Sequence, residues 1–139
     1  MLDKMIAIVS DAFVGKKDKG GQPYILHCLH VMNQMPENDD DLRQIAVGHD
    51  LIEDTNWTAD RLLALGFSHR VVYGIHILTH TKDMSYDDYI KRISTNPDAV
   101  KVKLADLKHN SDITRMKGLR KKDFDRLEKY HRAYAYLSN

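Results

Sequence analysis

Three carboxylates and a histidine fall within the six residues His49-Asp50-Leu51-Ile52-Glu53-Asp54. Read as helix, Asp50, Glu53 and Asp54 stand at i, i+3 and i+4 on one face. Such a set repels itself unless a cation or a hydrogen-bond network compensates it. His49 continues an apolar stripe with Leu42, Ile45 and Ile52, so it should point inward and draw the negative charges toward the core. Adjacent residues diverge by roughly 100° around a helix, so His49 and Asp50 would meet one ion only at the helix edge. A solvated acidic helix end is the competing reading.

Two further places could complete such a site. His27 sits among Tyr24, Ile25, Cys28 and Val31; alone, it reads more simply as a core histidine bonded to a carbonyl. His30, three residues on, is either a second inner histidine or a surface one. Asp106 lies in the apolar stretch Val102 to Asn110, where a buried carboxylate needs a partner such as a cation. An ion pair with Lys103 is the plain alternative. Together His27, His49, Asp50 and Asp106 form a His/His/Asp/Asp set. Imidazole and carboxylate donors of this kind suit Mn, Fe or Zn. Such an ion lowers the pKa of a water that then attacks phosphorus.

These residues need helices to position them. Leu2, Ile6, Val9 and Phe13 recur at helical spacing. Pro23 suits the first turn of a second helix, with Ile25, Leu29 and Met32 as its inner stripe. Asp39 to Asp41 offer cap and first-turn charge to a third helix that should run on through His49 and Ile52. Thr58, Ser68 and Ser85 are N-caps for three more, and Gly66 ends the first of these. Asn96-Pro97 opens a seventh; Val100, Val102 and Leu104 also alternate as a strand would, but no second strand is evident to pair with it. A last helix runs from about Lys122, with Leu127, Tyr130, Tyr134 and Leu137 inward. The expected architecture is an all-α bundle of about seven or eight helices in one domain spanning residues 1–139.

Composition narrows the function classes. The 139 residues carry 21 Lys+Arg against 20 Asp+Glu, which gives no global attraction to nucleic acid or an anionic membrane. The longest stretch free of those four residue types, Gly20 to Pro36, holds two His, two Gln, one Asn and two Pro, too polar to span a bilayer. No signal-peptide pattern is visible at the N-terminus, and the lone Cys28 allows no internal disulfide, so a cytoplasmic location is expected. The charge is uneven in place. Pro36 to Asp60 holds eight acidic residues and one Arg, whereas Lys101 to Arg132 holds eleven basic and five acidic residues. Two solvated faces would account for this; so would a cation site with a polyanionic ligand steered toward it.

The quartet reads H … HD … D and resembles an HD-domain signature. More narrowly, the chain resembles the (p)ppGpp hydrolase domain of the RelA/SpoT family, including its small stand-alone relatives. Gly21-Gln22-Pro23-Tyr24-Ile25-Leu26-His27 is similar to that family's G-E-P-Y-I-x-H block. His49-Asp50-Leu51-Ile52-Glu53-Asp54-Thr55 is similar to H-D-x-x-E-D-T, and Lys103 to Asn110 to K-L-A-D-[RK]-L-x-N. The resemblance implies one Mn²⁺, or another divalent transition ion, held by His27, His49, Asp50 and Asp106. It implies Glu53 and Asp54 as the pair that positions or deprotonates water, and Asn110, Tyr24 and Lys19 as nucleotide contacts. Lys103, one turn before Asp106, should face the same cavity. The implied reaction releases pyrophosphate from the 3′ position of (p)ppGpp. Asp18 stands where the family often has a basic residue, Phe13 where it has a histidine, and Leu107 where it has a basic residue. Other readings are an HD phosphohydrolase for a different nucleotide, such as an NADPH phosphatase, a 5′-nucleotidase or a cyclic-nucleotide hydrolase, and a non-catalytic nucleotide-binding module.

Overall fold

A computed structural model describes all residues, 1–139. Nine α-helices follow one another: α1 (Leu2–Ala12), α2 (Ile25–Asn33), α3 (Asp40–Val47), α4 (Leu51–Asp54), α5 (Ala59–Ala64), α6 (His69–Ile77), α7 (Tyr86–Ser94), α8 (Pro97–Asn110) and α9 (Lys121–Ser138). A short 3₁₀ turn, Ile113–Arg115, joins the last two. The expected caps are in place: the side chains of Asp39, Thr58, Ser68, Ser85 and Asn96 each accept a backbone N–H of the first turn, satisfying donors that have no partner within the helix. Val100, Val102 and Leu104 lie in α8, not in a strand; β-pairing is confined to a single bridge between Lys17 and Pro23.

Four expectations are corrected. The third helix does not run through His49. It ends at Val47, and Gly48, His49 and Asp50 form a turn before α4. Gly48 permits this, because a Cβ there would press on Ile75 at 3.0 Å, the Gln44 carbonyl at 3.1 Å and Met5 at 3.2 Å. Pro23 lies ahead of α2 rather than in its first turn, since its residue bridges Lys17. The inner face of α2 is His27, Cys28, Val31 and Met32; Ile25 and Leu29 are only partly buried. On α9, Ala133 and Leu137 face the core while Tyr134 is exposed.

Helices α2, α3 and α8 pack against one another at the centre. α1 and α6 flank α3, and α7 and α9 flank α8. One apolar core of 27 buried residues links them, and only five polar residues are buried with it. Three of those five are His27, His49 and Asp106, so most of the buried polarity gathers where the candidate ligands meet; Gln44 and Asp123 are the other two. On the outside, Arg70 of α6 bonds both oxygens of Asp39, the cap of α3, and both oxygens of Asp98 in the first turn of α8, at 2.9–3.0 Å. Planar two-pronged bonds of this kind fix orientation as well as distance.

The loop between α1 and α2 is seated against Arg115 by Gly20. A Cβ there would lie 2.2 Å from the Arg115 carbonyl oxygen, and Asp18 in the same loop pairs with the Arg115 guanidinium at 3.0 Å. Gly20→Ala should therefore lift the loop and cost about 1–3 kcal/mol, the usual range for an inserted atom without room. Urea unfolding checks this, and an unchanged midpoint would contradict so close a contact.

Candidate metal centre

Asp106 of α8 is the most heavily partnered carboxylate in the molecule. Its Oδ1 accepts from Asn110 at 3.0 Å and lies 2.9 Å from His27 Nε2 and 3.3 Å from His49 Nε2. Its Oδ2 accepts from the Lys103 ammonium at 3.0 Å. Burial works against ionisation, but Lys103 and His49 outweigh it and hold the carboxyl well below the usual carboxylate range. Asp50 lies opposite; its Oδ2 is 3.0 Å from His49 Nε2 and accepts from the Tyr24 hydroxyl. The ligand atoms of His27, His49, Asp50 and Asp106 all lie within 4.8 Å of one another. The Gly48–Asp50 turn makes this possible, because outside a helix His49 and Asp50 are not forced apart.

Both imidazoles present Nε2 to the centre. His49 Nδ1 lies 2.7 Å from the Ala46 carbonyl, to which it donates. His49 Nε2 is buried and makes no hydrogen bond, although two carboxylate oxygens are close; the atoms are near but not in line. In the metal-free chain burial disfavours the imidazolium, yet Asp50 and Asp106 prevail and raise the His49 pKa well above its ordinary value. His27 Nδ1 lies 2.8 Å from His109 Nδ1. Burial first, then the charge of Arg115, lowers the His109 pKa to about 4, so His109 is neutral and able to accept from His27 Nδ1. In that tautomer His27 Nε2 carries no proton and can face an ion; with the proton on Nε2 instead, it donates to Asp106 Oδ1. The backbone carbonyl behind His49 is the support that metal-bound histidines ordinarily have; behind His27 the His109 imidazole takes that place. The orphaned His49 nitrogen and the His/His/Asp/Asp donor set fit a divalent transition-metal ion.

Glu53 and Asp54 stand at the rim. Glu53 Oε1 accepts from the His80 backbone N–H at 2.6 Å, and Asp54 pairs with Lys16 at 3.0 Å. Desolvation, then the Asp50 and Asp54 charges, raises the Glu53 pKa even though its side chain reaches solvent. Asp50, Glu53 and Asp54 also form a close carboxylate group. A cavity of about 280 Å³ opens beside the centre, lined among others by Lys16, Lys19, Tyr24, Asn110, Arg115 and Arg126. Tyr24 and Asn110 thus have two roles: they bond Asp50 and Asp106 and they wall the cavity. Lys103 is placed elsewhere. It is not in the cavity wall but packed behind Asp106, close to the Tyr89 ring, because the buried carboxylate claims its ammonium. His30 is exposed and stacks on His109 at 3.7 Å between ring centroids. Asp18 is tied to Arg115, Phe13 is core beside Tyr24, and Leu107 is buried.

Sequence reading passed over His109, Lys16 and His80. His109 was accessible to it, since it follows Asp106 by three residues and so shares its helix face. Lys16 and His80 reach the acidic pair only through the fold.

No family model matches this chain, and no curated protein sequence matches it. Among solved structures, it is similar to that of a metazoan ortholog of SpoT that hydrolyzes ppGpp. The match has a TM-score of 0.80 at 18% identity and covers 98% of this chain and 84% of that one. The likeness shows a shared fold, which in this chain is all-helical.

Addition of Mn²⁺ at a hundredfold excess over its Kd should stabilise the protein by about 2.7 kcal/mol, and His49→Ala should abolish that gain in a thermal melt. The sign of the pH dependence follows from His49. Its raised pKa keeps the ring protonated in the metal-free chain, and an ion must displace that proton. Metal affinity should accordingly climb with pH, by about tenfold per unit while that proton is the one released. Titration calorimetry at several pH values tests it; a pH-independent Kd would exclude His49 as a ligand.

Proposed function

We propose that the chain is a divalent-metal-dependent phosphohydrolase, with Mn²⁺ as the expected ion and the 3′-pyrophosphate of (p)ppGpp as its substrate. One observation carries this reading: a buried His27/His49/Asp50/Asp106 cluster with an orphaned imidazole nitrogen lies directly behind Tyr24 and Asn110, which wall a cavity rich in cations. The activity named for the structurally similar SpoT ortholog supports the choice of substrate. A bound ion would polarise the phosphate and acidify a water.

The remaining steps belong to the chain's own residues. Glu53 has one oxygen fixed by His80 and a raised pKa, which suits it to take a proton from water during attack on phosphorus. Asp54 is held by Lys16, and the Lys16 ammonium also lies 4.2 Å from the centre of the Tyr24 ring; this joins the acidic pair to the cavity wall. The water oxygen joins phosphorus, the bond from that phosphorus to the ribose 3′ oxygen breaks, and the ribose oxygen takes up a proton. Lys19 and the Tyr24 and Asn110 side chains would line the nucleotide, while Lys103 acts by positioning Asp106. Paired hydrogen bonds from Lys103 and Asn110 hold that carboxylate ready for the ion before it arrives.

Glu53→Gln should retain metal and lose turnover by about 10²–10⁴-fold, the usual worth of general acid–base catalysis. Metal analysis beside a pyrophosphate-release assay checks both halves, and a metal-free variant would move Glu53 into the ligand set. Metallated protein should turn over ppGpp with a higher kcat/KM than NADPH, GDP or dAMP. A preference for dAMP would point to a 5′-nucleotidase, and no turnover of any of the four to a binding module.

A further inference from the structure

A second, larger cavity of about 640 Å³ adjoins the first, and the two share Lys19, Met116 and Arg126 in their walls. Its remaining charged lining is Lys117, Arg120, Lys122 and Asp123. Five cations therefore face one carboxylate. That carboxylate is already engaged: Asp123 Oδ1 accepts from Arg126 at 2.8 Å, and its Oδ2 accepts the Arg120 backbone N–H at 2.9 Å. The side chains of Lys19, Lys117, Arg120 and Lys122 form no ion pair. Elsewhere on the surface the arginines are mostly paired, as Arg43, Arg70 and Arg132 are.

From this geometry we infer that the second cavity is an anion subsite for the phosphates at the end of the nucleotide remote from the metal. The assignment rests on the nucleotide phosphohydrolase reading above and extends it. A ligand whose one phosphate lies at the ion and whose body fills the first cavity has its other end at the shared wall of Lys19 and Arg126. Lys117, Arg120 and Lys122 lie beyond that wall. The Lys117 ammonium passes over Gly21, where a Cβ would lie 3.2 Å from its nitrogen. Burial, and then the charges of Arg126, Lys129 and Lys122, lower the Lys19 pKa, the response expected of a cation in an uncompensated positive field. The class of substrate selected is a nucleoside carrying phosphates at both ends.

The test combines Lys117→Ala, Arg120→Ala and Lys122→Ala in the full chain, with Lys82→Ala, Lys91→Ala and Lys101→Ala as a control of equal charge loss on other faces. For metallated protein, kcat/KM is compared for ppGpp and for guanosine 3′-diphosphate, which lacks the 5′ phosphates. The subsite variant should lose about tenfold on ppGpp, the order expected from three partly screened charges, and little on the 5′-free compound. Raised salt should shrink the difference, as exposed charges are screened beyond roughly 8 Å at physiological ionic strength. Equal losses on both substrates, or the same loss in the control, would overturn the subsite. GDP binding to the chelator-treated protein, followed by calorimetry, is independent of turnover. Weaker GDP binding in the subsite variant alone supports the subsite even if neither substrate is hydrolysed, an outcome that instead defeats the catalytic reading. Unchanged GDP binding counts against the subsite whatever the turnover.

Discussion

A carboxylate taken out of water must be matched by charge and hydrogen bonds, and Asp106 is such a carboxylate at the meeting point of three helices. Without partners its burial would cost several kcal/mol. It obtains them from α2 through His27, from its own helix through Lys103 and Asn110, and from the turn after α3 through His49. His27 ties α2 to α8 and His49 ties the turn after α3 to it, so the polar centre also fixes the mutual placement of α2, α3 and α8. The amphipathic helices α1 and α6 on one side and α7 and α9 on the other cover this centre with their apolar faces.

The same constraint organises what surrounds the site. His49 and Asp50 lie close together because Gly48 breaks the helix before them. Tyr24 and Asn110 hold the ligand carboxylates with their polar ends and present their remaining surfaces to the cavity. Lys16 links the α1–α2 loop to Asp54, while Asp18 ties that loop to Arg115. Positioning of the cluster and shaping of the cavity thus use the same side chains.

The acidic and basic segments seen in the linear chain acquire distinct tasks. In the acidic segment, Asp39 caps α3 and binds Arg70, and Asp50, Glu53 and Asp54 gather at the centre. The basic segment contributes Lys103 to the interior, Arg115 and Arg126 to the near cavity, and Lys117, Arg120 and Lys122 to the adjoining one. A chain of nearly zero net charge therefore presents its His/Asp cluster beside a strongly positive groove, an arrangement that favours an anionic ligand locally without attracting polyanions over the whole surface.

Sequence alone determined the helices, because caps and apolar periodicity are local: Asp39, Thr58, Ser68, Ser85 and Asn96 act where their types and positions suggested. It also determined the four residues of the His/Asp cluster, since a histidine on an apolar stripe and a carboxylate in an apolar stretch are each costly unless they meet something. Tertiary structure decided the rest. The break at Gly48 depends on the closeness of Ile75 and Met5, which belong to other helices. Whether Lys103 faced a ligand or Asp106 depended on how deeply Asp106 was buried. His109 supports His27 across 82 positions of sequence, and Lys16 reaches Asp54 across 38. Periodicity reports which face of a helix is inward, but it carries no information about which other face will meet it.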